Sequence, residues 1–139
     1  MRPRITLKIA TSLDGRIGTS TGESQWITGP DARLQGHRLR NENDAVLVGV
    51  ETVLADDPRL TVRLPEGEAE IRDPLRVVLD SRLRTPAFAR LARPGTLIVT
   101  TRDPATAGDI GGAEIIRVAG DAQNRPTIEA VLELLTDRG

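Results

Sequence analysis

The residues best suited to chemistry fall in three short stretches. The first runs from Ile5 to Thr28 and gathers Lys8, several hydroxyls, Asp14, Arg16 and the chain's only tryptophan, Trp26. Lys8 is also the only lysine; the other eighteen of the nineteen Lys+Arg residues are arginine. An ammonium is a compact, strongly hydrated donor that shifts its pKa readily, whereas guanidinium is a broad planar fork. A lysine kept in so biased a chain is a candidate donor, against the plainer reading of a residual lysine on a half-exposed strand face. The second stretch is Asp56-Asp57 before Pro58, a non-helical bend. There a carboxyl group can transfer protons if its site is confined, or cap a helix or close an Asx turn. Magnesium or calcium would need more oxygen ligands than the nearby sequence offers. The third stretch is Arg33, His37 and Arg40 at i, i+4 and i+7, one side of a helix. It reads either as a solvated face or as an anion-binding face for a phosphorylated ligand.

These groups require elements to hold them, and the pattern is α/β. Ile5, Leu7 and Ile9 alternate with Thr6, Lys8 and Ala10, which predicts a first strand. Asp14-Gly15 and Thr21-Gly22 are turn signals in the polar run that follows. Gly29-Pro30-Asp31 marks a helix start with Pro30 at the first helical position, and the helix extends to about Asn43. Gly36 in mid-helix costs about 1 kcal/mol against alanine and suits close packing. Ala45–Gly49 is continuously apolar, as in a strand buried on both faces. A helical turn through Val53 follows. Further strands are predicted over 76–80, 96–100 and 113–118, with a helix over about 127–136. The stretch 63–75, with Pro65, Gly67 and Pro74, reads as an exposed loop. In an open sheet of this kind ligands bind beyond the carboxyl ends of the strands, where the 11–28 run falls.

Composition bounds the function. With 139 residues, 38% hydrophobic content and a formal net charge of −1, the expectation is one globular domain without a nucleic-acid footprint. There is no cysteine and a single histidine, which argues against disulfides, thiolate metal sites and a histidine-rich zinc centre; no metal is expected. No apolar run approaches the ~20 residues that span a bilayer, and no secretory hydrophobic region opens the chain, so the cytoplasm is the expected compartment. Aromatic content is 1%, Trp26 and Phe88 alone, so the core must be aliphatic. Trp26 then serves either as a plug over the sheet edge or as a stacking platform for a flat heterocycle. Neither G-x-G-x-x-G nor G-x-x-x-x-G-K-[ST] occurs, and Gly111-Gly112, ahead of a strand, reads as turn chemistry.

The motifs carry a resemblance. L-K-x-A-x-S-L-D-G-R at 7–16, G-E-S-Q-W-I-T at 22–28, D-A-V-L-V-G at 44–49, T-V-x-x-D-D-P-x-L-T-V-R at 52–63 and R-V-V-L-D-S at 76–81 resemble, in order, the reductase domain of riboflavin biosynthesis. That domain type is often fused behind a pyrimidine deaminase. The resemblance implies a dihydrofolate-reductase-like fold: a mixed, mostly parallel sheet flanked by helices. It implies NADPH as cofactor without a Rossmann fingerprint, and reduction of 5-amino-6-(5-phosphoribosylamino)uracil to its ribitylamino counterpart. By matched position it implies NADP contacts at Ala10, Trp26, Thr52, Asp56 and Ser81. Substrate contacts fall at Ser24, Arg40, Leu60 and Arg63, and Lys8 and Asp56 lie near the reacting ribose. His37 has no matched role and reads as a surface residue or an indirect support. A homodimer is implied, with a deaminase conceivable on a separate chain.

Two other readings stand beside this one: a related pyrimidine or pteridine reductase of the same fold, and a non-catalytic nucleotide-binding or oligomerisation module. The chain also ends on a helix over Val131, Leu132, Leu134 and Leu135 with no strand after it, whereas a crossover helix normally leads to another parallel strand. The resemblance places a central strand with a V-E-G-G-like motif next, beside the first strand. The expectation is therefore a single reductase domain over 1–139 that is incomplete at its C-terminus.

As the only tryptophan, Trp26 reports directly on its own contact. NADPH should quench or shift its fluorescence. No spectral change at saturating cofactor, with binding established by calorimetry, rules out stacking.

Overall fold

The computed structural model describes residues 3–23 and 28–139. Its order is α1 (Pro30–Asn41), β1 (Ala45–Gly49), α2 (Val50–Asp56), β2 (Leu75–Leu79), β3 (Thr96–Thr100), a 3-10 turn (Pro104–Thr106), β4 (Glu114–Arg117) and α3 (Ile128–Asp137). The four strands pair in sequence order, all parallel. The registers Gly49↔Leu79 and Leu79↔Val99 align the carboxyl ends of β1, β2 and β3 along one edge.

Alternation along the strands divides the core into two layers. Val78 and Ile98 pack with Val50 and Val53 of α2, Leu60, Leu91 and Ile110 on one face. Val77, Leu97 and Val99 pack with Val131 of α3 on the other. β3 is buried at all five positions, as a parallel strand with neighbours on both sides must be. Among the described residues the core contains no aromatic ring, so its density comes from aliphatic side chains.

β1 departs from the expected buried strand. It is paired on one side only among the described residues, and its burial is partial, with Leu47 44% exposed. The expected first strand departs further. Residues 5–10 belong to no strand, and Ile5, Leu7 and Ile9 are exposed, Leu7 by 80%. The alternation is present, but no ladder partner is found among the described residues, and a strand's backbone groups need one. The helical turn expected through Val53 extends to Asp56. Gly111-Gly112 is indeed turn chemistry: both have positive φ, and a Cβ on Gly111 would collide with the Ala92 carbonyl.

Among the described residues two charged side chains lie wholly inside, Arg76 and Asp80; Asp80 accepts from the Thr85 amide and hydroxyl. Arg76, 0% exposed at the start of β2, donates through Nε to Thr96 Oγ1 (3.0 Å), through Nη1 to Asp73 (2.6 Å) and through Nη2 to the Pro94 carbonyl (2.9 Å). Its guanidinium thereby pins the amino ends of β2 and β3 together. Burying a cation is tolerable only with such complete pairing. Arg76→Ala should lower the unfolding free energy by about 3 kcal/mol, through the cavity and the stranded Pro94 carbonyl. Arg76→Met, which refills the volume, should cost less. Equilibrium urea unfolding measures both; equal losses would show that volume contributes nothing.

Candidate active site

α1 buries no side chain, so packing does not hold it. Polar contacts to the connection between α2 and β2 do. Arg38 pairs with Glu68 through Nε (2.6 Å) and Nη2 (3.0 Å). Asn41 donates to the Glu70 carbonyl (3.0 Å) and accepts from the Arg72 amide (2.7 Å). Most of the expected 63–75 loop is exposed, but it is tied down along a helix, and it ends early: Pro74 is buried and Leu75 already opens β2.

Nearer the middle of α1 these contacts draw candidate residues together. Arg40 Nη1 donates to the Thr61 carbonyl (3.0 Å) and lies 3.2 Å from His37 Nδ1. The Arg63 amide donates to the same Nδ1 at 3.1 Å. Two donors converge on that nitrogen, which fixes the neutral tautomer with its proton on Nε2. The Thr61 carbonyl, 3.2 Å from Nδ1, is then occupied by Arg40. Burial first, then the charges of Arg40 and Arg63, hold the His37 pKa below its ordinary value. Arg40 is itself lowered, by burial and then by Arg63. Lys8 reaches this face too: a Cβ on Gly36 would meet Lys8 Cε at 3.9 Å. Gly36 and Arg40 are i, i+4 neighbours, so the Lys8 stem lies along α1, while Arg40 and Arg63 meet at His37 and Thr61. His37 links the two arginines, which sequence reasoning missed; its only signal was its spacing from Arg40.

Other candidates lie elsewhere. Leu60 is 7% exposed and packs in the core with φ of 54°, so its side chain is structural and only its backbone can face a ligand. Thr52 and Asp56, one turn apart on α2, are exposed, and no hydrogen bond or ion pair among the described residues links Asp56 to Lys8. The capping role falls to Asp57 instead. It ends α2 in left-handed geometry, φ 40°, and its carboxylate accepts from the Arg90 amide at 2.8 Å. Ala10 is half-buried. Ser24 and Trp26 lie outside the described residues.

Ser81 follows β2 at the carboxyl edge and helps line a groove of about 480 Å3 with Leu79, Arg125, Thr127 and Ile128. Beside it a hollow of about 380 Å3 is lined by Thr101, Arg117, Gly120 and Asn124. Thr101 hydroxyl donates to Asn124 O at 2.8 Å. An ion pair between Arg84 and Glu51 ties the segment after β2 to α2, so Thr52 and Ser81 share this edge. Neither hollow is lined by Lys8, Arg40 or Arg63. The candidates thus form two groups, a cationic one against α1 and a hydroxyl-bearing one at the carboxyl edge.

Residues 3–139 match the family described as the RibD C-terminal domain. The chain belongs to that family. It is 38% identical over 141 residues to riboflavin biosynthesis protein RibD of Chlamydia muridarum, covering 99% of this chain and 38% of that protein. Among solved structures it is similar to a diaminohydroxyphosphoribosylaminopyrimidine deaminase/5-amino-6-(5-phosphoribosylamino)uracil reductase of Thermotoga maritima (34% identity, TM-score 0.77, 99% of this chain and 36% of that one). It is also similar to Acinetobacter baumannii RibD (31% identity, TM-score 0.81, 99% and 37%). The chain therefore spans 38% or less of each RibD protein named. The RibD C-terminal domain fold is the α/β, dihydrofolate-reductase-like one. The four parallel strands described here are part of it.

With the His37 pKa lowered, the unfolded chain binds a proton there more readily than the folded one. Stability is therefore intact above the ordinary value of 6.5 and falls with pH from there through the depressed folded value. The paired carboxylate of Glu68 loses its contribution only below its ordinary 4.5. Denaturant midpoints between pH 7 and pH 5 should fall in this protein and stay level in His37→Asn. Parallel profiles would remove His37 as the cause.

Proposed function

We propose that this chain carries the NADPH-dependent reductase function, converting 5-amino-6-(5-phosphoribosylamino)uracil to 5-amino-6-(5-phosphoribitylamino)uracil. The observation that carries the reading is the joining of Arg40 and Arg63 through His37 and Thr61 beside α1, in a RibD C-terminal domain. The similar Thermotoga maritima protein is named as a reductase of this compound. The ligand is a small phosphorylated ribosylaminopyrimidine, which suits guanidinium groups as phosphate or pyrimidine anchors. Lys8 donates to sugar hydroxyls. Asp56 serves proton transfer as the ribose ring opens to an imine and the imine nitrogen gains a proton. The Ser81 groove, open at the carboxyl edge with hydroxyl and apolar walls, fits part of a dinucleotide. Ala10, Trp26, Thr52, Asp56 and Ser81 would hold NADPH, and Ser24, Arg40, Leu60 and Arg63 the substrate. Bound there, the nicotinamide supplies a hydride to the sugar carbon; the chain's own groups orient the substrate and move protons. We further propose a homodimer in the cytoplasm. No helix among the described residues is long and apolar enough to cross a membrane.

Following NADPH oxidation with this uracil substrate and, separately, with dihydrofolate tests the assignment. Turnover of the first alone is expected, and turnover of dihydrofolate alone would assign the fold to another substrate. Lys8→Arg should retain folding and lose most turnover, since the fork cannot replace the ammonium. Asp56→Asn should likewise reduce turnover at unchanged thermal stability, and a stable, fully active Asp56→Asn removes its role in proton transfer.

A further inference from the structure

We propose that His37 is a positioning residue: its unprotonated Nδ1 ties the Arg40 guanidinium to the Arg63 backbone and so sets the spacing of the two arginines that face the substrate. The geometry is specific. One nitrogen receives the Arg63 amide at 3.1 Å and lies 3.2 Å from Arg40 Nη1, while that same Nη1 holds the Thr61 carbonyl at 3.0 Å. Arg40 and His37 are fixed by α1. Arg63 sits on the connection after α2, which lacks regular structure from Asp57 to Pro74. Helical geometry fixes the first arginine, but nothing of that kind fixes the second. The bond from His37 to the Arg63 amide supplies the missing constraint, across 26 residues of chain.

The two like charges also need a reason to stay close. Each disfavours the other, and a neutral acceptor between them offsets part of that repulsion without cancelling the positive field that an anion would meet. A carboxylate in the same place would accept the same bonds but neutralise the face. A protonated imidazole would turn its Nδ1–H against the Arg63 amide and add a third cation. Imidazole in its neutral form is the group that meets both conditions.

The charged groups around His37 are Arg33, Arg40 and Arg38 (paired with Glu68) on α1, Lys8 beside Gly36, and Arg63 on the facing connection. Arg40 and Arg63 are the charges that act on the ring, so protonating His37 adds repulsion from both. Acidification should release Arg63 first, because the Arg63 amide holds Nδ1 from outside the helix, whereas Arg40 shares α1 with His37.

The proposal rests on the reading of Arg40 and Arg63 as substrate anchors, and two separate readouts keep the two claims apart. The first is the Arg63 amide proton in the NMR spectrum, followed from pH 7.5 to pH 5. Its shift should titrate together with the His37 ring. It should hold its pH 7.5 position throughout in His37→Asn, whose side-chain oxygen can accept as Nδ1 does and cannot titrate, and move to an unbonded position at every pH in His37→Ala. An Arg63 amide indifferent to His37→Ala overturns the proposal. The second readout is the dissociation constant of ribose 5-phosphate. His37→Ala should weaken binding about tenfold and His37→Asn less than twofold, both at unchanged thermal midpoint. Equal affinity in all three proteins overturns the positioning role. Failure of the unsubstituted protein to bind ribose 5-phosphate overturns the anion-site reading, while the amide readout still decides the tie between His37 and Arg63.

Discussion

A parallel sheet must be covered on both faces, and most of this molecule follows from that requirement. β2 and β3 have neighbours on each side, so both their faces are apolar and both need helices: α2 brings Val50 and Val53 to one, α3 brings Val131 to the other. Each connection between strands must cross from one end of the sheet to the other. That leaves one edge, at the carboxyl ends, where successive connections begin and where grooves form between them. Ser81, Thr101 and Thr127 lie there because the chain leaves β2 and β3 and enters α3 at that edge. At the opposite ends of these strands the Arg76 guanidinium joins β2 to β3. The two strands are thus held covalently unlinked but tightly matched at one end, and free to vary in loop chemistry at the other.

How far the sequence revealed this depended on whether the cause was local. Ala45–Gly49 and Thr96–Thr100 were legible to the residue, since an apolar run bounded by polar residues is its own evidence. The 5–10 segment was not, because alternation reveals the two faces of an extended chain but not the presence of a neighbour to pair with. Adjacent Asp56 and Asp57 look alike in sequence; the left-handed turn at Asp57 decides which one caps. Leu60 matched a ligand position, yet its side chain serves the core. His37 was the most obscure. Its role is defined by Thr61 and Arg63, more than twenty residues away, and no periodicity reports a contact across a loop.

The prevalence of arginine also shapes the candidate site. Guanidinium stays charged at any pH the protein meets, so the positive field along α1 is fixed in number of charges. What can change is distance. Fixing two permanent cations side by side calls for geometric restraint, and here hydrogen bonds to Thr61 O and His37 Nδ1 supply it. Gly36 stands beside the Lys8 stem, which a Cβ there would meet at 3.9 Å, an ordinary van der Waals contact.

The absence of a buried side chain in α1 has a consequence for how the molecule breathes. A helix joined to the rest by exposed and half-exposed hydrogen bonds can exchange each of them for water at small net cost, whereas opening β2 or β3 must expose aliphatic core. The lowest-energy excursions of the native protein therefore lift α1 from the 61–72 connection while the sheet stays intact. Amide hydrogens of α1 exchange through such openings; those of β3 wait for global unfolding. The wall that carries the cationic cluster is thus a hinged one, able to part and reclose without the core taking any notice.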